Sequence, residues 1–200
     1  MLTILDQFQE NIKYARELGL IGCAIQKLTT QAIDISHIFR SQIVFAVSAL
    51  DYFIHEIVQL GMIEIEKGKR PSTDKYLKFT IPLSTVRQAL NGSHCRDWLG
   101  EIVREKHSCI SFQEPEKIAD AIKTISRVEL WREVAKEINV TESDLKTTLK
   151  IIIDRRNKIV HEADMDPTNP GFRWDINITL ANETIDFIEK IANAIYKIIN

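Results

Sequence analysis

Glycine and proline are scarce in this chain, seven and five among 200 residues, so the tight turns that a sheet-rich fold needs have few places to form. Cysteine is scarcer still. Cys23, Cys95 and Cys109 are odd in number and form no CxxC, which suits reduced thiols in a cytoplasmic protein better than a disulfide framework. Long hydrophobic runs are missing too: residues 43–50 are already interrupted by Ser48 and fall far short of the roughly 20 residues that cross a bilayer. Near the N-terminus, Asp6, Glu10, Lys13, Arg16 and Glu17 leave no room for the apolar core of a signal peptide. Neither export nor a membrane span is expected. Charge of one sign does not dominate either. A net charge of −2 argues against a protein that coats nucleic acid indiscriminately, because neutralising phosphate needs clustered lysine and arginine.

Several chemical motifs are absent as well. No GxGxxG or Walker sequence occurs, and nothing supplies the strand–turn–helix of a nucleophile elbow, so no nucleotide cofactor is expected. His55-Glu56 begins an HExx sequence, but Gln59 stands where a zincin needs its second histidine. His94-Cys95 and His107-x-Cys109 provide two histidines and two cysteines without finger spacing, so surface histidines and partly buried thiols are expected in place of zinc. There is no internal repeat, low-complexity tract or linker, which makes residues 1–200 one expected domain.

What is present reads as helix, because apolar residues recur every three or four positions instead of every two. The pattern predicts a helix over 2–18 ending near Gly19, and a long central helix over 30–67 stopped by Gly68. A connector over 70–82 precedes short helices over 84–90 and 93–106, parted by Asn91-Gly92. Glu114-Pro115 opens a helix to 125, with proline where a missing N–H is harmless, and another short helix covers 128–138. The sequence Thr141-Glu142-Ser143-Asp144 announces a helix over 142–161, although Asp replaces the Glu of a full capping box. A loop over 164–171 ends it. Residues 174–178 read as a short extended piece before a last helix over 182–199. Tyr52 and Phe53 fall on the central apolar face and are expected in the core.

The helix over 142–161 carries an unusual arrangement. Projected at about 100° per residue, Leu145, Leu149, Ile152, Ile159 and Ala163 form one apolar stripe with Arg156 in its middle. A guanidinium there must be paired or face a cleft. Ile153, Asn157 and His161 make a neighbouring row, so Asn157 is placed to orient His161. Arg156 and His161 lie roughly 140° apart around the helix and about 7.5 Å along it. Three routes could bring them together: the arginine bends round, the helix unwinds near His161, or a second subunit presents its own motif across a two-fold axis. Lys150, Arg155, Arg156 and Lys158 also cluster here, while Lys67, Lys69, Arg70, Lys75 and Lys78 form a second basic region expected to be solvated.

The segment from Arg155 to Glu162, with Arg156-Asn157 followed by His161, resembles the RxxxxH motif of the HEPN superfamily. Ser48 to Glu56, Ser111 to Ile118 and His161 to Pro167 resemble segments of its RiboL-PSP-HEPN-like group, and the likeness covers roughly residues 30–199. The resemblance implies an all-α helical bundle, commonly a homodimer and often a metal-independent endoribonuclease. It also implies a toxin or antiviral-defence effector that meets a neutralising antitoxin or regulatory partner. Other members of the superfamily are noncatalytic binding modules.

The residue types fit internal transesterification of RNA, in which a ribose 2′-OH attacks the adjacent phosphorus. His161 can exchange protons near neutral pH. Arg156 can hold a phosphate in fork geometry and stabilise developing negative charge. Asn157 would position either His161 or the phosphate, with Arg155 and Lys158 as candidate phosphate-steering cations; Glu162 is assigned no role. The competing account is an ordinary helix end, where arginine and histidine simply suit the C-terminal dipole.

Overall fold

The structure, a computed structural model, describes residues 3–30, 33–91 and 98–199. Among these residues there are nine helices: α1 (Ile4–Leu28), α2 (Ser36–Glu66), α3 (Asp74–Leu77), α4 (Leu83–Leu90), α5 (Trp98–His107), α6 (Pro115–Ile122), α7 (Leu130–Glu137), α8 (Glu142–His161) and α9 (Ile178–Ile199). No strand forms among them; one isolated bridge joins Met165 to Arg173. The expected all-α bundle, with short helices between the long central helix and the motif helix, is the fold observed.

Helix α2 is the axis. It packs against α1, α5, α6, α8 and α9, and Leu50, Phe53, Ile54, Val58 and Met62 are fully buried along it. Phe8 of α1 meets Phe53 with ring centroids 5.3 Å apart, and Ile118, Ile122, Leu145, Leu149, Ile188 and Ile195 close the same core. Each such side chain contributes about 1.5–3 kcal/mol by leaving water. By length and composition α2 is apolar enough to cross a membrane, although 56% of its most apolar window is buried inside the fold. Run length alone missed this property, because isolated charged residues such as Asp51 break the run yet leave the mean hydropathy of the window at 1.5. Phe53 is buried as expected, but Tyr52, which lines a cleft between α2 and α5, is 47% exposed.

Gly19 does not end α1, which continues to Leu28. A Cβ there would lie 2.5 Å from the Gln42 side chain and 2.7 Å from Ile178, so this glycine serves close approach between helices. Gly68 behaves as expected: at φ +68° it ends α2 while Lys69 N–H donates to the Glu64 carbonyl at 2.8 Å, the wrapping bond of a Schellman cap. Helix α9 begins one turn earlier than its periodicity indicates, because Asn177 Oδ1 accepts from Leu180 N–H at 2.9 Å. Residues 174–177 form no strand. The expected starts at residues 2 and 93, and Gly92, lie outside the described residues.

The connector before α4 contains the single turn α3, and Thr73 donates to the Thr124 carbonyl at 2.8 Å. Two further polar ties hold short elements on α2. Asp51 accepts from Phe112 N–H at 2.6 Å and from Gln113 Nε2 at 3.1 Å, and Gln59 donates to the Gly100 carbonyl at 2.9 Å.

Candidate functional site

Helix α8 starts where its cap indicates. Thr141 Oγ1 accepts from Asp144 N–H at 3.0 Å and donates to Asp144 Oδ2 at 2.7 Å. Leu145, Leu149, Ile152 and Ile153 are buried, but the apolar stripe fades beyond them. Residues 155–159 are half-buried, and Val160, His161 and Ala163 are exposed. The helix therefore leaves the core in its last two turns, and Arg156 sits at the rim instead of within a buried stripe.

The chain leaves α8 through Ala163 and Asp164, both in the left-handed region at φ 51° and 58°. An alanine there costs roughly 1–2 kcal/mol and an aspartate less, so something must hold the turn. Asp164 is fully buried, and its Oδ2 accepts from Arg40 Nε at 2.6 Å and from Arg155 Nη2 at 2.9 Å. Arg40, from the first turns of α2, also donates to Ser36 Oγ at 2.6 Å and to the Trp174 carbonyl at 2.7 Å. Backbone bonds complete the loop: Asp164 N–H donates to the Lys158 carbonyl at 3.0 Å and Trp174 N–H to the Asp164 carbonyl at 3.0 Å. Two guanidinium groups share one carboxylate, leaving a net positive charge beneath the loop.

This clamp changes the role expected of Arg155. Its Nη2 is shared between Asp164 and the carbonyls of Trp174 and Asp175. Burial lowers its pKa, an effect Asp164 opposes and Arg40 reinforces, but a guanidinium keeps its proton. Arg155 is thus directed into the protein, and steering of phosphate is not what its geometry supports. Arg40 and Asp164 were not foreseen at all. The available signal was an arginine on the buried face of α2, three residues before Ile43, which demanded a partner.

Arg156 points elsewhere. Its Nη1 donates to Asn157 Oδ1 at 3.0 Å, its Nε is buried without a partner, and among the described residues no carboxylate pairs with it. Asn157 therefore orients Arg156, and among the described residues it makes no hydrogen bond to His161. His161 is the last residue of an unbroken helix, so unwinding before it does not bring the two groups together. Its exposed side chain has no partner among the described residues. Lys158 places its Nζ 5.5 Å from the Trp174 ring centroid, which restrains the cation through the ring face without neutralising it. The arrangement presents one guanidinium free of carboxylates, one ammonium and one accessible imidazole at a helix end.

Two other histidines, His55 and His107, occupy a separate place. His55 Nε2 lies 3.1 Å from the Ile110 carbonyl, and the His55 and His107 rings pack on Phe112 at 4.5 and 5.1 Å. Burial, then the nearby His55 and Lys75, push the His107 pKa down from 6.5 to about 4. Cys109 is exposed and Cys23 half-buried, both as free thiols. His94 and Cys95 lie outside the described residues, and among the described residues no group of three potential metal ligands assembles.

Fold and site together define a helical module with a cationic, histidine-bearing helix end. The chain belongs to the RiboL-PSP-HEPN family, whose family model matches residues 9–200. That membership points to a nuclease or otherwise RNA-related module. No curated protein and no solved structure matches the chain significantly.

Proposed function

We propose that the protein is a metal-independent endoribonuclease that cleaves RNA by attack of the 2′-OH on the adjacent phosphorus. The observation that carries this reading is the state of Arg156: a guanidinium held by Asn157, unpaired with any carboxylate among the described residues, and keeping a buried N–H without a partner. Such a group seeks an anion, and a phosphate diester supplies one. Arg156 holds a nonbridging oxygen and stabilises charge as the phosphorane forms. His161 moves a proton to or from the reacting oxygens. Asn157 positions Arg156, and Lys158 adds positive charge at the groove edge.

Because Arg156 and His161 diverge around one helix, the complete site is proposed to form in a homodimer, where the arginine of one copy faces the histidine of the other. A free ribonuclease in the cytoplasm would damage its host, so a toxin or antiviral-defence role with a neutralising or regulatory partner protein is part of the proposal. No membrane is involved. The divergence of the two groups within one copy favours a second reading for a strictly monomeric protein: a noncatalytic helical module that binds RNA or a partner.

The deciding experiment is cleavage of a mixed RNA pool in EDTA, with Arg156→Ala and His161→Ala alongside. The expected result is cutting by the wild type alone, leaving 2′,3′-cyclic phosphate and 5′-hydroxyl ends, while DNA survives. Products bearing 3′-hydroxyls and formed only with magnesium would refute the mechanism. A folded wild type as inert as its variants, and monomeric by light scattering at micromolar concentration, would leave the noncatalytic reading standing.

A further inference from the structure

A second basic feature lies at the opposite end of α2 from the motif. Two clefts open on either side of the Thr73–Thr124 hydrogen bond. One, about 540 Å³, is walled by Lys69, Arg70 and Arg127. The other, about 600 Å³, is walled by Lys75, Lys78 and Lys117, and its lining includes the half-buried rings of Phe79 and His107 and the buried Phe112. Some of this charge is internally satisfied, since Arg70 pairs with Glu64 and Lys75 with Asp120. Lys69, Lys78, Lys117 and Arg127 have no carboxylate partner among the described residues, and all four are exposed. Four unneutralised cations on one band contrast with a chain whose net charge is −2.

We propose that this band is a binding groove for single-stranded RNA, separate from the Arg156–His161 helix end. Repeated cations suit a phosphate backbone, and a concave recess with aromatic walls suits an unstacked base, the pairing that single-strand binders use. A rigid duplex could touch the lysines but could not place a base in the recess. Along α2, His55 beside the aromatic cleft lies about 22 Å from Arg40, and Glu64 at the other cleft about 36 Å, at 1.5 Å per residue. Sites so far apart are separable by mutation. The inference rests on the protein acting on RNA, but its readout is binding and not cleavage.

The test uses full-length His161→Ala protein in EDTA and a fluorescent single-stranded oligoribonucleotide, titrated at several salt concentrations. Against it stand Lys78→Gln/Lys117→Gln, Lys69→Gln/Arg127→Gln and the four combined, each checked for an unchanged melting temperature. Each phosphate contact contributes about 0.7 to the logarithmic salt slope for single strands. The expected result is a slope smaller by about 1.4 for each pair and about 3 for all four, with at least roughly tenfold weaker affinity for the combination. A duplex of the same sequence should bind more weakly than the single strand. Unchanged affinity and slope in the fourfold variant would overturn the groove even if the wild type cleaves RNA. Equal binding of duplex and single strand, or no RNA binding by the His161→Ala protein, would overturn it as well. Loss of RNA binding on neutralising the band, in a protein whose wild type never cuts RNA, would sustain the groove while the nuclease reading fails.

Discussion

Replacing Asp164 with asparagine isolates the charge of the clamp beneath the motif loop. Asparagine keeps one oxygen acceptor and tolerates the left-handed backbone at φ 58°, so what changes is chiefly the anion facing Arg40 and Arg155. Asp164 is 0% exposed and the Arg40 side chain 8%, and removing one partner of such a pair costs about 3–5 kcal/mol because the other charge remains buried. The retained acceptor puts Asp164→Asn near the lower end, about 3 kcal/mol, which for a chain of this size lowers Tm by about 6–12 °C. Asp164→Ala should lose roughly a further 1 kcal/mol, since alanine is strained in that conformation. Arg40→Met removes the other buried charge, so the double variant Arg40→Met/Asp164→Asn should be less unstable than the two single losses combined, by about 2 kcal/mol. Thermal unfolding followed by far-UV circular dichroism measures the four variants against wild type. An Asp164→Asn melting point within about 1 °C of wild type, or strictly additive effects, would refute the clamp.

Arg155→Ala should destabilise the fold by about 1–3 kcal/mol through the clamp and reduce RNA cleavage only as far as it loosens the loop, whereas Arg156→Ala should leave Tm nearly unchanged and abolish cleavage; identical behaviour in melting and activity assays would contradict their division. His107 has its folded pKa at about 4 against 6.5 unfolded, so the unfolded chain takes up the proton first as pH falls. Its contribution is fully present above pH 6.5 and is lost towards pH 4. The shift corresponds to about 3 kcal/mol, reduced to about 2 because the ring is only partly buried. Urea unfolding at neutral and acid pH should therefore show wild type losing about 2 kcal/mol more than His107→Gln, and parallel pH profiles would rule this out.

Much of the architecture was legible because it is local. The cap at Thr141 and the glycine at 68 mark real helix ends, and apolar periodicity found the central helix and the motif helix. Where reading failed, the cause was a contact between distant parts of the chain. Gly19 resembles a helix stop until Gln42 and Ile178 are seen against it. The helical projection put Arg156 inside an apolar stripe, but the stripe depends on there being core to face, and the core ends after Ile153. Arg40 and Asp164 are 124 residues apart, and no spacing rule connects a helix arginine with a loop aspartate. Arg40 announced only that it needed a partner.

The adjacent arginines show how the clamp and the proposed chemistry depend on each other. Successive helix positions differ by about 100°, so Arg155 and Arg156 cannot face the same surroundings. Asp164 lies on the Arg155 side, where the loop returns to α2, and it takes up that guanidinium together with Arg40. A carboxylate placed on the other side would neutralise Arg156 and remove its attraction for phosphate. The left-handed turn through Ala163 and Asp164 sends the buried carboxylate back under the helix, away from Arg156, while His161 stays exposed at the end. The turn thus pairs Arg155 with the buried carboxylate and leaves Arg156 without a carboxylate among the described residues, as the proposed chemistry requires.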